Sequence, residues 1–143
     1  MMVKAQLEDI AVASDGSYFL MLLSTEEGEL LPITIDSLQA QSIILGQSEE
    51  NFERPLTHDL LLSVLELLGA DLKRIEITDL SDGVYFARLV LASRGIEYEI
   101  DARPSDALAL AVRTDAELFI DKEVLDRAAV TEDDFGGSGG VEA

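Results

Sequence analysis

The sequence predicts an α+β fold: one compact domain with an N-terminal β-meander, central helices, a second β-meander and C-terminal helices. Three observations predict it. Segments whose apolar residues alternate at period two fall in two groups, residues 3–35 and 72–100, with helical segments between and after them and no regular βαβ repeat. The 143 residues are 48% hydrophobic, enough for a single core and one domain. No cysteine is present, so the core needs no disulfide, and His, Asp and Glu are the ligand types left for a metal.

Taken in order, residues 3–13 carry Val3, Ala5 and Leu7, then Ile10 and Val12, a period-two strand whose slip near Glu8 and Asp9 reads as a bulge. A turn at 14–17 joins it to an apolar strand over 18–24, making a hairpin. Residues 29–35 form a third strand, in which Pro32 points to an edge or a bulge because proline cannot donate to a central ladder. A helix opens near Asp36 or Ser37 and stops at Gly46. After a polar, acidic connector, Thr57 is the natural N-cap of a second helix that runs through Leu60, Leu61, Val64, Leu65, Leu67 and Leu68 to Gly69. Alternation resumes at Leu72, Ile75 and Ile77; residues 79–83 turn into a strand over 84–92, and Arg94 and Gly95 turn the chain back. Ile96, Tyr98 and Ile100 alternate with Glu97 and Glu99, which predicts a half-buried strand.

That strand leads into a helix from Pro104, a residue suited to the first helical position. Ser105 can accept from an unpaired N–H there, and Asp106 complements the positive end of the helix dipole. The apolar run 107–112 predicts a helix buried along its length. A short strand over 117–120 and a helix over 122–129 close the domain near residue 130, and residues 131–143 read as a disordered, acidic, Gly-rich tail.

The balance of 29 Asp plus Glu against 10 Lys plus Arg gives a formal −19, which with this hydrophobic content describes a folded acidic domain. Lys4, Lys73 and Lys122 are the only lysines, a composition that suits a high-salt cytoplasm in which carboxylate repulsion is screened. A field of this sign disfavours nucleic acid, so phosphate binding needs a local basic pocket, a metal ion or high salt. No apolar run approaches a membrane span, and the N-terminus lacks the basic and apolar regions of a signal peptide; the expected location is cytoplasmic.

Two helix starts share one grammar. Arg54-Pro55-Leu56-Thr57-His58-Asp59 and Arg103-Pro104-Ser105-Asp106 each place an Arg-Pro before a hydroxyl residue and an aspartate, and Asp101 ends the strand before the second. At these motifs the chain resembles the bifunctional nuclease family, whose members carry an RPxTHDL segment and a DxRPSDAIALAVR segment. Here these are residues 54–60 and 101–113, and the LPI at 31–33 and the TDLSDGVYFARLVL at 78–91 also look like family sequence. The match covers roughly residues 3–130. The resemblance implies a compact α+β domain, a homo-oligomer (dimer or higher), and the combined DNase and RNase activity assigned to some members. Gln39-Ala40 stands where the family usually has a glutamate-alanine pair, which removes a carboxylate from that position. The small helical hairpin module that follows in some members is not part of this sequence.

Phosphodiester hydrolysis asks for charge neutralisation at the phosphate, an activated water and usually a divalent ion. With the resemblance, the expected function is that of a metal-assisted nuclease of low specificity acting on DNA and/or RNA. Asp59, Asp101 and Asp106 would bind Mg²⁺ or Mn²⁺ or act as a general base, and His58 would be an acid or base near neutral pH. Arg54 and Arg103 would clamp phosphate, with Thr57 and Ser105 as substrate-binding hydroxyls at helix starts that add N–H donors. All of this requires residues 54–59 and 101–106 to converge. The same residues also fit structural ion pairs, Arg54 with Asp101 or Arg103 with Asp59, in a noncatalytic oligomeric regulatory or scaffold domain, and they fit an anion or small-molecule binding module. Tyr18, Phe19, Tyr85, Phe86, Tyr98 and Phe119 fall in predicted strands, where core or an oligomer interface fits better than base stacking because no cations are interleaved.

Overall fold

A computed structural model of the chain describes residues 1–50 and 52–131; of the expected tail, residues 132–143 lie outside the described residues. The elements are β1 (Met2–Val12), β2 (Phe19–Thr25), β3 (Glu29–Ile35), α1 (Ser37–Gln47), α2 (Thr57–Leu67) and β4 (Asp71–Ser81), followed by β5 (Val84–Ser93), β6 (Ile96–Ala102), α3 (Pro104–Ala111), β7 (Glu117–Asp121), α4 (Lys122–Ala128) and β8 (Val130–Thr131). The α+β class holds, but the two meanders are halves of one eight-stranded sheet in the order β6-β5-β4-β7-β1-β2-β3-β8. β7 joins them, parallel to β4 (Ile75 beside Leu118, Ile77 beside Ile120) and antiparallel to β1 (Val3 opposite Ile120). Pairing between strands so far apart in the chain leaves no local signal to read.

The slip in β1 is a register shift between Leu7 and Asp9 against β2. Pro32 sits where β3 is the sheet edge, because β8 pairs β3 only at Glu29 and Leu30. The turn expected over 79–83 is only Asp82 and Gly83, with φ of 51° and 78°. Two residues of positive φ match the twist of the flanking strands, so the ladder continues to Ser81 opposite Val84.

One apolar face of the sheet carries the helices. Ala40 and Ile43 of α1, and α3 with every residue but Asp106 buried, pack on Met21, Leu23, Leu31, Ile75, Ile77 and Leu89. The alanines of α3 leave room for its backbone to lie close to its neighbours, which is why this helix is enclosed as expected. On the opposite face Glu76 is 4% exposed, held by Arg74 at 2.8 Å and Arg88 at 2.5 Å. Burial works to raise that carboxyl, and the two guanidiniums outweigh it and hold it below the usual range.

Three expectations about local structure change. Gly46 does not stop α1, which runs on to Gln47 with Ser48 as C-cap. Its missing side chain serves packing instead: a Cβ there would collide with the Arg113 guanidinium and come within 2.7 Å of Val112 Cγ2. Thr57 is the first residue inside α2 and Leu56 the N-cap, because Asp59 reaches back to accept from the Leu56 N–H at 3.0 Å. β6 keeps its alternation, but Ile96, Tyr98 and Ile100 are 44–54% exposed, since this strand ends the sheet and, among the described residues, no helix covers it.

Candidate functional site between three helices

Asp36 caps α1 with a reciprocal box: its carboxylate accepts from the Gln39 N–H at 2.8 Å and the Gln39 side chain accepts from the Asp36 N–H at 2.9 Å. This fixes Asp36, Gln39 and Ser42 along one wall of a cleft of about 190 Å³ whose other walls are His58 of α2 and Arg103, Ser105 and Asp106 at the start of α3. The two Arg-Pro motifs therefore do converge, as the site reading required.

Their convergence rests on two aspartates that divide the work. Asp106 Oδ1 lies 3.0 Å from His58 Nε2, and Asp106 accepts from Arg103 Nε at 2.8 Å and from Arg103 Nη2 at 3.2 Å. Burial works to raise the Asp106 carboxyl, but the hydrogen bonds from Arg103 and His58 prevail and hold it below the usual carboxylate range. An ionised carboxylate only accepts, so Nε2 carries the hydrogen in this contact, and in the neutral ring Nδ1 is left as the acceptor. His58 is 14% exposed by side chain and also forms part of the wall of a second cleft, with Gln41, Thr57 and Arg113.

Asp59 faces the other way. It accepts from Arg113 Nε at 2.8 Å, and the same guanidinium donates through Nη1 to Ser42 O at 2.9 Å and Ala109 O at 2.8 Å. Arg113, 6% exposed by side chain, thus ties α1, α2 and the end of α3 together. Here burial again opposes ionisation, and the Leu56 N–H and Arg113 overcome it to lower the Asp59 carboxyl. The structural pairs that the sequence suggested are replaced: Arg103 pairs with Asp106 and Arg113 with Asp59. Arg54 and Thr57 are exposed, and among the described residues neither side chain has a hydrogen bond or ion pair.

Asp101 does not join the site. It lies opposite Arg88 on β6, and directly opposed residues of antiparallel strands share a face. The core residue Leu89 is opposed by Ile100, so Asp101 turns to the face away from the helices. Asp59, Asp101 and Asp106 accordingly form no common ligand set, and among the described residues no group of three or more His, Asp or Glu is placed to hold a metal ion. The carboxylates that do share the cleft are Asp106 and Asp36. Two carboxylates suit an Mg²⁺ or Mn²⁺ that takes its remaining ligands from substrate phosphate and water, the usual manner of Mg²⁺.

Ser105 is not a cap. Arg103 is the N-cap of α3, Pro104 occupies the first turn, and no side chain caps the helix. The first N–H donated back is that of Ala107, to Arg103 O at 3.0 Å, so the Ser105 and Asp106 N–H groups stand at the open start. Ser105 Oγ is buried and, among the described residues, without a partner. Asp36, Gln39, Ser42 and Arg113 were not singled out as site residues from sequence; the D-x-x-Q spacing of the capping box was the available signal for the first two.

A family model described as bifunctional nuclease domain matches residues 21–133. An uncharacterized protein of Mycobacterium tuberculosis is 34% identical over 130 residues, 90% of this chain and 77% of that protein. Bifunctional nuclease 1 of Oryza sativa is 28% identical over 120 residues, 80% of this chain but only 36% of that protein. Bifunctional nuclease 1 of Arabidopsis thaliana is 28% identical over 107 residues, 71% of this chain and 33% of that protein.

Proposed function

The chain belongs to the bifunctional nuclease domain family, and from that premise we propose that it is a metal-assisted nuclease of low specificity, cleaving DNA or RNA phosphodiesters in the cleft between α1, α2 and α3. The observation that carries the reading is the convergence of His58, Asp106 and Arg103 at one cleft from two distant motifs. Asp106 orients the His58 ring, whose Nδ1 takes the proton of the attacking water; the P–O bond breaks, and the proton returns to the leaving oxygen. Arg103 exchanges part of its contact with Asp106 for the phosphate, and the open start of α3 adds N–H donors to the same oxygens. Mg²⁺ or Mn²⁺ beside Asp106 and Asp36 would supply charge neutralisation when bound with substrate.

The test is purified protein with single- and double-stranded DNA and RNA, in Mg²⁺, Mn²⁺ or EDTA. Cleavage that EDTA abolishes is expected. Cleavage undiminished by EDTA would remove the ion from the proposal and keep the site; phosphate binding without any cleavage would favour the anion-binding module.

A homo-oligomer is the second proposal, and a specific surface favours it. No residue of α2 is buried, Leu67 is 85% exposed, and Leu60, Leu61, Val64 and Leu68 are exposed with it. So much uncovered apolar side chain on one helix is unusual for a monomer. With a formal −19 on each copy, association should strengthen as salt screens the repulsion. Light scattering is expected to give at least twice the 15.5 kDa chain mass, and Leu67→Glu to reduce it. A parent protein that is monomeric at high salt overturns this.

A further inference from the structure

We propose that the groove beside the phosphate site, between β3, the β4–β5 turn and the start of α3, is a nucleobase subsite, so that the enzyme grips one nucleotide unit across Ser105. This rests on reading the smaller cleft as the phosphate site. The two clefts share Gln39, Arg103 and Ser105. The smaller, about 190 Å³, falls below the roughly 300–1,000 Å³ of pockets that take organic ligands, and it suits a phosphate with water. The larger, about 450 Å³, lies inside that range.

Ser105 points to a ligand at the joint. Its hydroxyl is buried at 3% exposure and has no partner among the described residues, a state that native interiors rarely tolerate unless something absent completes it. The lone serine oxygen and the uncapped α3 N–H groups together suit a phosphoryl oxygen. Charge then divides the occupant. Among the described residues, Arg103, at the joint, is the only Lys or Arg lining either of these two clefts, so the phosphate belongs there and the larger groove takes an uncharged group.

The walls of that groove fit a flat ring. Tyr85 and Val84, with Pro32 and Pro104, offer aromatic and apolar contact, and a tyrosine face stacks any base, which agrees with low specificity. Gln39 supplies an edge contact: its amide oxygen is engaged by the Asp36 N–H, and its NH₂ remains to donate to a base carbonyl or ring nitrogen. Tyr85 was grouped with the strand aromatics as core from sequence alone. It does pack against the main core, and as the second residue of β5 it also lines the groove, half-buried.

The experiment is calorimetric or NMR titration with inorganic phosphate, ribose 5-phosphate and nucleoside monophosphates, using the parent, Tyr85→Ala, Tyr85→Phe and Ser105→Ala. The parent is expected to bind monophosphates about tenfold more tightly than ribose 5-phosphate. Tyr85→Ala should bring that ratio near one, Tyr85→Phe should keep it, and Ser105→Ala should weaken phosphate and nucleotide alike. If Tyr85→Ala does not fold, Val84→Glu, at the exposed start of β5, is expected to lower the same ratio. Equal affinity of the parent for monophosphate and ribose 5-phosphate overturns the base subsite alone. Failure to bind phosphate at all, with or without divalent ion, overturns the phosphate reading and this inference with it.

Discussion

His58→Ala is expected to lower cleavage by roughly 10²–10⁴-fold, the usual contribution of a positioned acid or base, while the protein melts as a folded domain. Among the described residues the imidazole makes one side-chain hydrogen bond, to Asp106, so its loss leaves Asp106 still held by Arg103. Asp106→Asn is the sharper variant. An amide can still accept from Nε2, but without charge it neither fixes the ring tautomer nor anchors Arg103 through two bonds, and a loss as large as that of His58→Ala is expected. Asp101→Asn should cleave as the parent does, because Asp101 faces away from the cleft. Parent-like rates for both His58→Ala and Asp106→Asn in folded protein would place the chemistry elsewhere or trace the activity to a contaminant.

The parts of this site legible in sequence are those with a local cause. Arg-Pro followed by a hydroxyl residue and an aspartate marks a helix start by backbone rules alone, and the two starts were paired because they share that grammar. Which partner each charge takes is a matter of tertiary geometry. Arg113 reads as the end of an apolar helix, and nothing nearby in sequence announces that it bridges to Ser42 and Asp59, 71 and 54 positions away. Asp101 failed for the opposite reason. Its place before α3 suggested proximity to Asp106, but strand alternation sends it to the other face, and that sense is set by the β5 pairing register. The same limit applies to β6, whose alternation announced a strand and not whether anything covers it.

Arg113 carries the largest expected effect on stability. Arg113→Ala should cost about 3 kcal/mol, the low end for breaking a buried ion pair because Asp59 keeps some exposure, and lower the midpoint by about 10 °C. The loss comes from three acceptors at once, the Asp59 carboxylate and the carbonyls of Ser42 and Ala109. Arg113→Lys should recover less than half of it, since one ammonium cannot span three acceptors on separate helices. Gly46 gives an independent check. Alanine usually improves a helix interior over glycine by up to about 1 kcal/mol, yet Gly46→Ala should destabilise because its methyl meets the guanidinium. In the double variant Gly46→Ala/Arg113→Ala the contact with the guanidinium is gone and only that with Val112 Cγ2 remains, so the combined loss should fall short of the sum. Acid titration separates this role from a mere packing defect. Asp59 is depressed in the fold, so the stability it contributes is present above the ordinary carboxylate range and is lost as pH falls through its folded value. Arg113→Ala removes one cause of that depression, and its stability should decline less steeply below about pH 4 than the parent's. Parallel acid profiles, or a midpoint within 2 °C of the parent, would show that the three helices are held by their apolar contacts and that Arg113 is incidental to the site they frame.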